Sequence, residues 1–123
     1  MMKTMDIVLN RPGTNARVYQ LAFKDACRVV GAYVCLEVKQ EAEALITLGK
    51  NGAATTILSK DMDGIDAATS TALDWTAALT EVNRKQIFDR DTPLELTVNL
   101  AADSTIHLQL ILDPFLIGAH EGL

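Results

Sequence analysis

This sequence has little of what metal, nucleic-acid and membrane sites are made from. It contains only two cysteines and two histidines, and because these residues are not clustered they do not make a zinc site. Its 11 basic residues are outnumbered by 16 acidic ones, which disfavours binding to the phosphates of nucleic acid. No stretch approaches the roughly 20 apolar residues of a membrane span. Residues 1–5 lack the apolar core of a signal peptide, so we expect synthesis in the cytoplasm.

The clearest positive signal is a pair of alternating runs, residues 94–100 and 106–112. A period of two places every second side chain on one face of a β-hairpin. Because a lone hairpin is marginal in water, the pattern predicts a second apolar layer and hence a β-sandwich or barrel. The apolar positions of the two runs are Leu94, Leu96, Val98, Leu100, Ile106, Leu108, Leu110 and Leu112.

Further strand candidates recur about every ten residues, with glycine, proline and asparagine between them, as in an all-β sandwich. Residues 76–88 are the one helical candidate, capped by Thr76 or Thr80 and expected to form a turn or two. We therefore predict a mainly β, antiparallel sandwich with one short helix near residues 76–88. It would form a single domain over residues 1–123, with 1–4 and 118–123 frayed. The other strand candidates are residues 5–10, 17–23, 32–38, 45–48, 55–59, 71–75 and 115–117.

The densest cluster of oxygen ligands is the acidic turn of Asp61, Asp63 and Asp66 with Gly64. Calcium favours such carboxylates. However, the helix–loop–helix calcium signature needs glycine at loop position six and glutamate at position twelve. Counted from Asp61, these positions hold Asp66 and Ala72. An acidic turn between strands explains the cluster better, and we predict no metal or cofactor site.

The remaining polar candidates give no catalytic motif. The serines have no nucleophile-elbow context, and a Ser/His/Asp or Cys/His site needs spatial pairing that a sequence does not show. We therefore predict no catalytic residues and no enzyme. A disulfide between the two cysteines is conceivable without support from the sequence. The residues weighed are His107, His120, Ser59, Ser70, Ser104, Cys27 and Cys35.

Two surfaces admit a binding interpretation beside a structural one. The aromatic residues could stack a ligand, although large aromatics on half-buried strands usually belong to the core. A mixed-charge segment could dock a neighbouring subunit, or it could be a solvated helical turn with local charge pairs. The aromatic set is Trp75, Tyr19, Tyr33 and Phe23, and the charged set is Glu81, Arg84, Lys85, Asp89, Arg90 and Asp91.

The second half of the chain resembles small Ig-like β-sandwich domains of tailed-phage and prophage virion proteins, notably the N-terminal domain of baseplate upper proteins. The match runs through the helical turn 79–87 (LTEVNRKQI), the strand 94–100, the polar turn 101–105 and the strand 106–112. The turn 101–105 departs from the family pattern in having no glycine. The resemblance implies a virion structural or assembly protein that docks and self-associates, with no catalytic residues to carry over.

We therefore expect a non-enzymatic module of a phage or prophage head, tail or baseplate. Its partners would be itself, as a homo-oligomer, or other virion proteins, with no nucleic acid and no membrane. It would be made in the bacterial cytoplasm and end in a virion. A small-ligand or carbohydrate-binding sandwich is the alternative.

Overall fold

The computed structural model describes residues 2–50, 56–65 and 73–114. They form two four-stranded sheets in which every neighbouring pair of strands is antiparallel. One short 3₁₀ turn, Thr76–Ala78, and one short helix, α1 (Glu81–Arg84), follow the sixth strand. The strands are β1 (Lys3–Leu9), β2 (Arg17–Leu21), β3 (Cys27–Leu36), β4 (Leu45–Lys50), β5 (Thr56–Asp61), β6 (Leu73–Asp74), β7 (Leu94–Asn99) and β8 (Ile106–Pro114).

Sheet A has the order β1-β8-β3-β6, and sheet B has the order β2-β7-β4-β5. This alternation of early and late strands in two packed four-stranded sheets is the arrangement of an eight-stranded jelly roll. The predicted mainly β, antiparallel sandwich with a short helix is therefore confirmed. The strand order differs from the Ig-like one that the resemblance implies, in which strands A, B, E and D form one sheet and C, F and G the other, because alternating patterns do not encode strand order. Within the described residues, no helix has the length and apolar character needed to cross a membrane.

The core lies between the sheets and is built by the period-two pattern. On β7 and β8 the apolar positions of the two runs are buried, while the residues between them face outward. Burial of each such leucine side chain contributes about 2 kcal/mol through the hydrophobic effect. The same core contains Ala32, Val34 and Leu36 of β3, beside β8, and Ile46 and Leu48 of β4, beside β7.

Most strand bounds differ from the predicted ones by one to three residues. β1 begins at Lys3, so residues 3 and 4, which were expected to fray, lie in the strand. The strand predicted at 71–75 is short, because Leu73–Asp74 is followed at once by the 3₁₀ turn. Thr80 is the helix cap, and its Oγ1 accepts the N–H of Asn83 at 3.1 Å. The predicted strand at 115–117 and the tail 118–123 lie outside the described residues.

β3 begins five residues earlier than the predicted start at 32, because a bulge interrupts its alternation. The register against β8 shifts between Val29 and Gly31. Before the bulge the buried positions are odd-numbered, Cys27 and Val29, and after it they are even-numbered. A Cβ on Gly31 would lie 2.9 Å from Cγ1 of Ile111, so the close approach of β8 to the bulge requires glycine here.

The flank where β5 and β6 form the sheet edges is covered by the segment that carries the 3₁₀ turn and α1. Asn83 Nδ2 donates to the carbonyl of Ile57 on β5 at 3.0 Å. The apolar residues Trp75, Leu79 and Phe88 of this segment are buried. Val82, on the single turn of α1, is 67% exposed, whereas Leu79, which precedes the helix cap, is buried. The edges β1 and β2 therefore lie together on the opposite flank.

One end of the sandwich is held by the fully buried side chain of Gln40. Its Oε1 accepts the backbone N–H groups of Ala101 at 2.9 Å and Ala102 at 2.8 Å. Its Nε2 donates to the carbonyls of Val38 at 3.1 Å and Ala102 at 2.9 Å. All four hydrogen-bonding positions of the amide are thus satisfied. Gln40 fixes the loop between β7 and β8 to the end of β3.

Candidate interaction surface

The acidic turn is held together by its own backbone. Asp61 Oδ1 accepts the N–H groups of Ala44 at 2.9 Å and Asp63 at 3.0 Å. These two donors lower the pKa of the Asp61 carboxyl below its ordinary value. Gly64 has a φ of +74°, which favours glycine at a turn. Asp66 lies outside the described residues, and among the described ones no group of three or more acidic, histidine or cysteine side chains is placed to hold a metal ion.

The bonds of Asp61 predict a loss of stability in acid. Because the pKa of Asp61 is lower in the folded state than in the unfolded one, its contribution is present at neutral pH and disappears as the pH falls below about 4. In Asp61→Asn this dependence should be absent. We expect the urea midpoint of the natural protein to fall more steeply between neutral and acid pH than that of Asp61→Asn. Parallel curves for the natural protein and Asp61→Asn would contradict this account.

A shallow groove of about 190 Å³ crosses the outer face of sheet A and brings Cys35 beside His107. The two residues are directly opposite in the β3–β8 register. His107 Nε2 lies 2.9 Å from Oε2 of Glu37. Burial, followed by the charge of Glu37, raises the pKa of the Cys35 thiol, so this arrangement favours the protonated thiol rather than the nucleophilic thiolate. His120 lies outside the described residues.

The two cysteines, Cys27 and Cys35, lie on the same strand. An extended strand rises about 3.3 Å per residue, so the Cα atoms of Cys27 and Cys35 are separated by more than about 20 Å. A disulfide requires a separation below about 7 Å. Burial and the charge of Asp89 raise the pKa of the Cys27 thiol to about 11. Cys27 lines a second groove, of about 180 Å³, with Phe23 and Leu112.

The aromatic residues do not converge on one surface. Trp75 is buried at the β5–β6 flank, Tyr33 lines the groove on the outer face of sheet A, and Tyr19 and Phe23 pack partly buried against the core. The candidate serines are engaged within the fold. Ser59 Oγ lies 3.1 Å from Thr47 Oγ1, Ser104 Oγ accepts the N–H groups of Glu37 and Val38, and Ser70 lies outside the described residues.

Several charges in the 81–91 segment serve local structure. Glu81 and Lys85 form an exposed ion pair of 3.5 Å, which contributes at most a few tenths of a kcal/mol. Arg84 Nη2 donates to the carbonyl of Thr76 at 2.9 Å. Asp89 Oδ1 accepts the N–H groups of Asp91 and Thr92. The segment therefore matches the description of a helical turn with local charge pairs.

Within the part of the chain that the structure describes, the flank formed by β1 and β2 is incompletely covered; we call it the open flank. Its core-facing side chains are half-buried, whereas those of the central strands are buried. Val8 and Val18 are 58% and 56% exposed, and Met2, just before β1, is 58% exposed. Val8 lies on the outer face of sheet A and Val18 on the outer face of sheet B, so apolar side chains are exposed on both sides of this flank. The half-buried apolar residues here are Met5, Ile7, Leu9, Tyr19, Leu21 and Phe23.

The β1 edge lacks most of the features that normally keep sheet edges from pairing. Natural edges are shortened, bulged, or carry proline and charge. β6 has only two residues. β5 carries the charges of Lys60 and Asp61, and its register against β4 shifts at Ile57. β1 is seven residues long, pairs with β8 without a register shift, and contains no proline. Its only interior charge is Asp6, so β1 offers a long, regular edge to a further strand.

The sequence patterns did not reveal this surface. Alternation identifies Met5, Ile7 and Leu9 as core-facing but does not say that their strand lies at an edge. That information comes from the pairing of β1 with β8, a strand about a hundred residues away along the chain. The length of β1 and the absence of proline were the available signals.

No protein-family model and no curated protein matches this sequence. Among solved structures, the chain is similar to the core of Drosophila NLP, whose crystal structure is described as giving insight into pentamer formation and histone binding. The TM-score is 0.43 at 10% identity, over 89% of this chain and 97% of that one. A likeness at this level carries no argument about function.

Proposed function

We propose that this chain is a non-enzymatic assembly module that acts through protein–protein contacts, as a component of a phage or prophage head, tail or baseplate. The open flank carries the proposal, because it combines an unguarded strand edge with half-buried core residues and exposed valines. The phage or prophage part of the proposal comes from the resemblance of residues 79–112 to virion sandwich domains. Jelly rolls occur in viral capsids and also in lectins, so the surface and not the fold favours assembly.

The proposal predicts that the protein associates with itself or with another structural protein and catalyses no reaction. We expect light scattering to show a mass that rises with concentration, or a pull-down to capture a structural protein encoded beside this gene. Specific interfaces usually bury at least about 1,000 Å², which a strand edge and the side chains next to it can supply. A protein that stays monomeric and captures none of these neighbours would contradict the proposal. Neighbouring portal, capsid or tail genes would support it.

The alternative, a small-ligand or carbohydrate-binding module, is favoured by the groove beside Cys35 and His107. At about 190 Å³ it is smaller than the roughly 300 Å³ at which ligand pockets usually begin. Its lining includes Tyr33, a ring on which a sugar could stack. Chemical-shift changes confined to Tyr33, Cys35 and His107 on titration with a glycan panel would favour this alternative over assembly.

A further inference from the structure

We propose that β1 pairs antiparallel with β1 of a second copy, about a two-fold axis at Met5, so that the two A sheets join into one. This inference rests on the proposed function and names its partner and register. Among the described strands, β1 ends sheet A and has a neighbour on one side only, so the sheet can accept another strand there.

The faces of β1 restrict how two copies can meet. Odd-numbered residues of the strand face the core and even-numbered ones face outward, as their pairing with β8 requires. A two-fold axis perpendicular to the sheet keeps inner and outer faces together in both copies. The axis must therefore pass beside one residue of the strand, and Met5, Asp6 and Ile7 are the central choices.

The three registers differ in which residue of the second copy lies opposite the charged side chain of Asp6. An axis at Asp6 places the two Asp6 carboxylates directly opposite each other, which destabilises the pair. An axis at Ile7 places Asp6 opposite Val8 and therefore sets a carboxylate against an exposed apolar side chain. An axis at Met5 places Asp6 opposite Thr4, whose hydroxyl can donate to a carboxylate oxygen.

The register at Met5 also covers the exposed apolar side chains. It places Met2 of each copy opposite Val8 of the other on the outer face, and both side chains are 58% exposed in the single chain. On the inner face Met5 meets its own copy, and the stem of Lys3 lies against Ile7. The β2 edges approach each other in the second layer, so Tyr19 and Leu21 extend the contact across both sheets. The exposed and half-buried apolar surface of the open flank thereby acquires a partner.

Disulfide cross-linking of single cysteine variants shows which residue of β1 lies opposite its own copy. Met5→Cys, Asp6→Cys and Ile7→Cys are each made in a Cys35→Ser background, and Thr56→Cys on the β5 edge is the control. Directly opposite residues in an antiparallel pair have Cα atoms about 4.5–5.5 Å apart, which suits a disulfide. We expect Met5→Cys to form a covalent dimer fastest under mild oxidation. Faster cross-linking at position 6 or 7 would overturn the register, and no cross-linking above the Thr56→Cys control would overturn the pairing.

Sedimentation velocity tests the same register without a covalent bond. Thr4→Asp places like charges opposite Asp6 twice, and Thr4→Lys places opposite charges there. Since such pairs are worth about 0.2–1 kcal/mol each, we expect the association constant to change between about two- and thirtyfold, downward for Thr4→Asp and upward for Thr4→Lys. Val8→Glu should weaken association, and Thr56→Asp on the β5 edge should leave it unchanged.

The outcomes separate this inference from the proposed function. If the natural protein associates and the variants at positions 4 and 8 do not alter its association, the β1 pairing is wrong, while assembly through another surface stands. If the natural protein is monomeric at every concentration but captures a neighbouring gene product, the partner is not a second copy and the inference falls. If it is monomeric and captures nothing, both fall.

Discussion

Replacing Gln40 with leucine should lower the free energy of unfolding by about 3 kcal/mol or more. The leucine occupies a similar volume but leaves the N–H groups of Ala101 and Ala102, and the carbonyl of Val38, without their partner. These hydrogen bonds are part-buried, so each backbone group left without a partner costs about 1 kcal/mol or more, and more than one is affected. The loss should appear as a lower urea midpoint with an unchanged m-value.

The matched control is the same substitution at Gln109. Its amide makes a hydrogen bond of 2.8 Å to Asp6 on the outer face of sheet A, in an exposed setting. Water can replace that partner, so we expect a change within about 0.5 kcal/mol. Equal effects of the two substitutions would mean that Gln40 does not clamp the loop between β7 and β8.

Leu96→Ala and Leu108→Ala should each destabilise the protein by about 2–5 kcal/mol, the usual cost of a cavity in a packed core. The two leucines lie on the inner faces of opposite sheets, and they are 1% and 2% exposed. Val82→Ala is the control, because its side chain is 67% exposed and its removal leaves no cavity. Thermal or urea unfolding provides the measurement, and an unmoved transition in either leucine variant would mean that the wrong face has been placed inside.

The strands with an uninterrupted period of two were those the sequence predicted best. The predicted run 94–100 ends one residue beyond β7, and 106–112 ends two residues before β8 does. The first half of β3 was missed because the bulge beside Gly31 reverses the parity of its buried residues. β5 shows the same effect, since Ile57 and Leu58 are both buried opposite a register shift.

No local sequence pattern indicated the hydrogen bonds of the buried Gln40 side chain or the exposed apolar residues of the open flank. Gln40 follows the strand candidate at 32–38, and no local pattern there indicates a buried side chain. Its partners Ala101 and Ala102 lie 61 and 62 residues away, and only the tertiary fold brings them within reach. The open flank likewise depends on strand order, which the spacing of apolar residues does not contain.

The position of β8 in sheet A has a consequence for the nascent chain. β8 is the last described strand to be synthesised, yet it lies between β1 and β3 and is the strand that both of them pair with. Until the ribosome has made residues 106–114, β1 has no neighbour in its sheet and β3 has only the two-residue β6. Sheet A therefore forms after translation of nearly all the described chain. A fragment that ends before Ile106 lacks the centre of this sheet, so nested deletions from that end would report loss of folding and not the location of a binding surface.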